Sequence, residues 1–190
     1  MVDVLKQVNW VDICVLIVFF RICYISFKNG FPAEIFKFFG TISAVYLAYH
    51  YYISLSDFIQ ERVGLKPIPV EFLDFISFIL LILLGYFAAV VLRETFSRFI
   101  KMEAVPSLSK WGGITFGVAR GAIVTSIVIY TLAISSVTYF KDSATGSFLG
   151  KNIFNIAPSV YRVLWDGVMS KFMIKEKPNN DISLVQDSYK

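Results

Sequence analysis

Four long apolar runs constrain this chain more than any other feature of its sequence. A helix needs about 20 predominantly apolar residues to cross the hydrocarbon of a bilayer. The runs predict spans over 11–27, 32–54, 72–92 and 112–137. The second holds an uncharged stretch over 38–56, and Asp74 is the only charged residue of the third. Composition agrees. Hydrophobic residues make up 56% of the 190, and charged residues 17%, where soluble domains carry about 25%. A soluble fold of this size could not hide so much apolar surface, and large exposed patches aggregate. The expected fold is therefore an all-α integral membrane protein of four transmembrane helices, followed by an amphipathic C-terminal helix.

The boundaries carry their own signals. Trp10 stands where an interfacial aromatic belongs. Lys28-Asn29-Gly30 breaks the first run, and Pro32 suits the first turn of a new helix. Phe96, Phe99 and Ile100 among Arg93, Arg98 and Lys101 predict a short helix lying in the interface. Beyond Val137 the character changes. Pro158 marks a helix start, and Tyr161, Leu164, Trp165, Val168 and Phe172 fall on one helical face. This helix is too polar to span and is expected to lie on the membrane or dock on a partner. The domains read as a transmembrane unit over 1–140, an amphipathic interfacial region over 141–174, and a disordered polar tail over 175–190. Asp3 and Lys6 give no basic leader, so the first run is expected to be retained.

Small residues predict how the spans pack, because lipid tails are as apolar as leucine and only close backbone approach favours association. Gly113, Gly117 and Gly121 repeat every fourth residue at the head of the fourth run. Gly40, Ala44 and Ala48 share that spacing in the second, and Gly85 and Ala89 in the third. Glycine weakens a helix unless packing requires it, so Gly117 is expected to face another helix.

An up-and-down order sorts the ionisable residues by membrane side. Glu34 and Arg120 lie toward the first loop. Asp12, His50 and Asp74 lie at the opposite end. Charges at such depth pair or line a wet cavity. Glu34 and Arg120 read as a structural ion pair or snorkelling groups, or else as a polar gate. Asp12, His50 and Asp74 read as capping and interfacial groups, or else as a cation or proton site. Lys28, Lys37, Arg93, Arg98, Lys101 and Lys110 flank the first and third loops, against Arg62 and Lys66 in the second. The excess of positive charge places the first and third loops in the cytoplasm and both termini outside.

Several chemistries lack their residues. No glycine loop with lysine cradles a phosphate, no cysteine–histidine cluster has metal spacing, and there is one histidine. Cys14 and Cys23 are nine residues apart, about 13 Å along a helix and on opposite faces. They cannot bridge. No catalytic residue, metal or cofactor is expected, and the protein is not expected to be an enzyme. The basic residues lie beside apolar runs, so their partner is the lipid bilayer rather than nucleic acid.

The order of these features resembles the bacterial colicin V production (CvpA) family. Trp10-Val11-Asp12, an apolar run, then Lys28-Asn29-Gly30-Phe31 with Glu34 form the first part of the likeness. Lys110-Trp111-Gly112-Gly113, Gly117 and Arg120-Gly121 form the second. The likeness covers residues 10–137, and Arg21 inside the first span is unusual for it. It marks Asp12, Lys28, Gly30, Glu34 and Arg120, with Asp74 from the burial argument, as the polar candidates. The resemblance implies an inner-membrane protein linked to colicin V production or export and to envelope function. Two readings follow: an accessory protein that assembles with itself or with other membrane proteins, or a subunit of an oligomeric ion or solute channel. Carboxylates facing a wet interior would favour the second.

Overall fold

The computed structural model describes residues 9–63, 68–99, 106–173 and 176–189. Four long helices come first: α1 (Trp10–Asn29), α2 (Phe31–Val63), α3 (Val70–Phe99) and α4 (Pro106–Ala133). Short helices follow: α5 (Thr138–Thr145), α6 (Phe148–Ile153), α7 (Ile156–Leu164), a π-helical turn over Trp165–Met169, α8 (Ser170–Phe172) and α9 (Asp181–Ser188). The described residues contain no strand.

Three helices are long and apolar enough to cross a membrane, over Trp10–Asn29, Val70–Thr95 and Ser109–Ala133. Residues 32–54 lie within the 33-residue α2, about 50 Å long. Its apolarity is diluted by Tyr46, Tyr49, His50, Tyr51 and Tyr52 in mid-helix and by charges at both ends. The predicted boundaries shift elsewhere. α3 runs unbroken to Phe99 in place of a separate interface helix; residues 100–105 lie outside the described set. α4 ends at Ala133, before the expected Val137.

Asn9 starts α1 through a capping box with Asp12, which satisfies two otherwise orphaned donors. Gly30 ends it with φ 74° and ψ 173°, a backbone region essentially reserved for glycine. α1 packs mainly on α4, α4 on α2, and α2 on α3. The row α1–α4–α2–α3 leaves its outer members covered on one side. Only 22% of α1's apolar window and 17% of α3's are buried, against 56% for α4. The two outer helices therefore present the apolar surface that lipid would cover.

The contacts of the small residues fix the direction of neighbouring helices. Gly40 meets Ala89, and Gly85 meets Ala44. Gly113 and Gly117 meet Ser26, and Gly121 meets Phe19. Rising numbers on α2 meet falling numbers on α3, and the same holds for α1 and α4, so both pairs are antiparallel; α2 and α4 run parallel, with Phe38 meeting Phe116 and Tyr49 meeting Tyr130.

The C-terminal helices fold over one end of the bundle. An aromatic column joins the two parts. Tyr49, Phe78 and Tyr130 pack with ring centroids 4.6–5.2 Å apart. Tyr130 reaches Phe154 at 5.6 Å, and Phe154 stacks on Tyr189 at 3.9 Å. Such pairs contribute about 0.5–1.5 kcal/mol each beyond area burial. Of the tail expected to be disordered over 175–190, residues 176–189 are described, and in them Ile182 and Tyr189 are buried. Ile182, Val185 and Tyr189 share one face of the last turns, and this apolar stripe docks a segment whose average composition is polar. The amphipathic stripe expected to meet membrane or partner divides. Tyr161 and Trp165 are buried against the bundle, whereas Phe172 is 80% exposed.

Candidate functional site

Glu34 and Arg120 meet. Glu34 begins α2 and is fully buried; Arg120 comes from α4, and its Nη2 lies 2.9 Å from Glu34 Oε2. Ser26 of α1 donates its hydroxyl to the same oxygen at 2.8 Å and accepts from Arg120 Nη2 at 3.3 Å. Lys37 Nζ and Asn29 Nδ2 donate to the other oxygen, Oε1, at 2.8 and 3.0 Å. Oε1 thus has two donors, Oε2 has Arg120 and a Ser26 hydroxyl that also lies 2.8 Å from the Ile22 carbonyl, and three long helices converge on one side chain. A buried charge is tolerated only when paired and hydrogen-bonded in this way.

Glycines make the convergence geometrically feasible. A Cβ on Gly113 would stand 2.9 Å from the Ser26 carbonyl oxygen and 3.0 Å from the Gly30 backbone. A Cβ on Gly117 would overlap the Ser26 side chain. The smooth face of α4 therefore lets α1 approach until Ser26 reaches both Glu34 and Arg120.

Lys28 stands apart from this centre, with its Nζ 4.6 Å from the Tyr24 ring centre. The sequence reading named Lys28 a polar candidate and Lys37 only a flanking charge, although Lys37 lies three residues beyond Glu34, a spacing at which helical side chains are neighbours. Ser26 carried no such signal. Its role arises from its position opposite Gly117.

Asp12 forms a second fully bonded carboxylate at the other end. Its Oδ1 accepts from Ser147 Oγ at 2.6 Å and Leu149 N at 2.8 Å. Its Oδ2 accepts from Asn9 N at 2.8 Å and Phe148 N at 3.4 Å. One carboxylate thus caps the start of α1 and the start of α6 together. Its negative charge also suits both helix N-termini. Asn9 Nδ2 and Trp10 Nε1 add bonds to Ser143 of α5, at 2.9 and 3.0 Å.

His50 is held by partners from α7 and the tail. Its ring stacks on Tyr46 at 5.3 Å and on Trp165 at 5.0 Å. Its Nδ1 lies 2.9 Å from the Tyr161 hydroxyl, and its Nε2 lies 2.7 Å from Glu176 Oε2. Asn179 N donates to the Tyr161 oxygen. Burial pushes the Tyr161 phenol above its ordinary range, and its hydroxyl can donate to His50 Nδ1 when that nitrogen carries no proton. In neutral His50 that bond leaves the ring proton on Nε2, which donates to Glu176. The chain holds α7 and the tail against α2.

Asp74 keeps separate company. It lines a cavity of about 310 Å³ with Asp57, Glu71, Asp181 and Lys141 among its walls. Ser56 lies beside it, yet neither Ser56 Oγ nor Asp74 Oδ1 makes a hydrogen bond of ordinary geometry to a described residue. Asp12, His50 and Asp74 therefore share an end of the molecule without converging. Among the described residues, no group of three or more histidine, cysteine or acidic side chains could hold a metal ion.

These features define a helical membrane protein tied together by buried polar centres at both ends of its bundle. The sequence pattern of the colicin V production protein family matches residues 11–158, and the chain belongs to that family. The matched region passes beyond the long helices to include Ser147, the partner of Asp12. Neither a curated protein nor a solved structure matches the chain.

Proposed function

We propose that this protein is an inner-membrane accessory component of the colicin V production type, supporting toxin production or export and envelope homeostasis by assembling with other membrane proteins rather than by conducting a solute. The observation that carries this reading is the saturation of Glu34 and Asp12. All four oxygens of these two carboxylates are occupied by protein donors. A carboxylate that binds or gates a passing ion must exchange its ligands with that ion, and here the ligands hold helices together.

In this reading α2 is a fourth span. α1 ends beside the start of α4, whereas α3 starts beside the end of α4, where Asp74 and Ala133 share a cavity. A chain that crosses with α1, α3 and α4 must recross with α2 between them. The excess of positive charge then sets the first and third loops in the cytoplasm and the C-terminal helices outside. An alkaline phosphatase fusion after Lys190 should be active, and an inactive fusion would reverse the orientation.

A second reading, an oligomeric channel subunit, draws on Asp74, whose unbonded oxygen and acidic cavity the accessory reading does not use. Ion flux through proteoliposomes holding the purified protein separates the two. Sealed vesicles are expected from the native protein, Glu34→Gln, Asp12→Asn and Asp74→Asn alike. Flux in the native protein that a carboxylate variant abolishes would sink the accessory reading.

A further inference from the structure

Arg21 is exposed on α1 and makes no ion pair, hydrogen bond or ring contact with any described residue. Within Trp10–Asn29 it lies about 16 Å from the start and about 12 Å from the end. The hydrocarbon is about 30 Å thick, so Arg21 sits near its middle. Helical side chains lean toward the helix N-terminus. That lean carries the guanidinium away from the nearer boundary, so snorkelling works against the geometry. A charge at this depth requires a partner or water. Lys28 shows the contrast: it lies at the end of the same face, over the Tyr24 ring.

A second copy of this chain offers no suitable carboxylate. Residues 13–33, 35–56, 75–93 and 104–141 contain neither aspartate nor glutamate. Glu34, at the edge of this region, is fully buried and saturated. The exposed residues Cys14, Ile17, Arg21, Tyr24 and Lys28 follow one another at alternating three- and four-residue steps, the spacing of a helix-packing seam. From this charge complementarity we infer that the outer face of α1 binds a transmembrane helix of a different protein, one carrying an aspartate or glutamate near mid-depth.

The inference rests on the accessory reading and names the kind of partner it needs. The test uses full-length protein in phosphatidylcholine vesicles with a leucine–alanine transmembrane peptide bearing one central glutamate. A glutamine peptide is the control. A donor dye on a cysteine at exposed Lys151, with Cys14 and Cys23 changed to serine, reports association by energy transfer. The glutamate peptide should bind about tenfold more tightly than the glutamine peptide, and Arg21→Gln should abolish the difference. Arg21→Gln should keep its melting temperature, because it removes no internal contact. With native Cys14 restored and a thiol oxidant such as copper phenanthroline added, a peptide cysteine two turns from the glutamate should form a disulfide with it. Equal binding of both peptides would overturn the inference. So would preferential Cys14–Cys14 cross-linking of two copies, which would assign the face to self-association. Loss of the preference when phosphatidylglycerol is added would overturn it too, by assigning Arg21 to lipid phosphate. Flux through the same vesicles keeps the two proposals apart: a sealed protein without peptide preference fails this one alone, and a conducting one fails the accessory reading.

Discussion

Glu34 differs from a surface acid in what its partners can do when one is removed. Arg120 is 7% exposed and Glu34 is fully buried, so losing the guanidinium leaves a carboxylate that water cannot reach easily. Breaking a buried pair from one side costs about 3–5 kcal/mol. Arg120→Met should therefore lower the melting temperature in detergent sharply. Lys37→Met should cost less, because the Lys37 side chain is 15% exposed and admits water in its place. Equal losses would mean that Arg120 is not the dominant partner. Exchanging the charges, Glu34→Arg with Arg120→Glu, should not restore stability, since Lys37 would then face an arginine. The shared depth of Glu34 and Arg120 was legible from the alternating order of the runs. Ser26 was not, because nothing in a helix sequence tells which serine stands opposite a glycine of a distant helix. Asp12 was legible as a cap for its own helix, but its bond to Ser147, 135 residues away, depends on how the C-terminal helices fold back.

The long helices were readable because their signal is cumulative apolarity, and their packing because small residues repeat at helical spacing. Sequence spacing gives equal rank to the three glycines of the every-fourth-residue repeat in α4, whereas their neighbours do not. A Cβ at Gly113 would press on backbone atoms of α1, and one at Gly117 on the fixed Cβ of Ser26. At Gly121 the obstacle is the Phe19 ring at 3.1 Å, which can turn aside. Overpacking of a tight contact costs about 1–3 kcal/mol, while replacing glycine by alanine within a helix returns up to about 1 kcal/mol. Gly113→Ala and Gly117→Ala should thus lose thermal stability in detergent, and Gly121→Ala should be near neutral. If Gly121→Ala proves the most damaging, α1 does not cross α4 at Ser26. The fate of α2 shows where cumulative apolarity fails as a guide. Its tyrosines depress its hydropathy, yet Tyr49 and Tyr52 are buried against other helices rather than held at an interface.

At the scale of the molecule, the C-terminal helices are tied to the start of α1 and to α2 at one end of the bundle. Asp12 holds α6, His50 holds Tyr161 and Glu176, and Asn179 donates to the Tyr49 carbonyl at 2.8 Å. The last aromatic of the column, Tyr189, stacks on Phe154 and bonds the Ala144 carbonyl. The polar composition of the tail hid this because docking needs only a few apolar residues at helical spacing, too few to move an average. Removing residues 176–190 would uncover Phe154 and take away the bonds to His50, Tyr161 and Tyr49. The long helices keep their packing with one another, since the tail lies at one end of their contacts. The truncated protein should retain its helical circular dichroism from the bundle. Protease should then cut it rapidly between Ala133 and Lys171, where α5–α7 lose their cover. Tyr189→Ala should give a weaker form of the same result, costing about 3–5 kcal/mol if the site does not collapse. A truncated protein with native protease resistance would mean that Asp12 and the α7 contacts hold the cap unaided. Loss of the bundle's own helicity would mean instead that the long helices depend on the cap to stay folded.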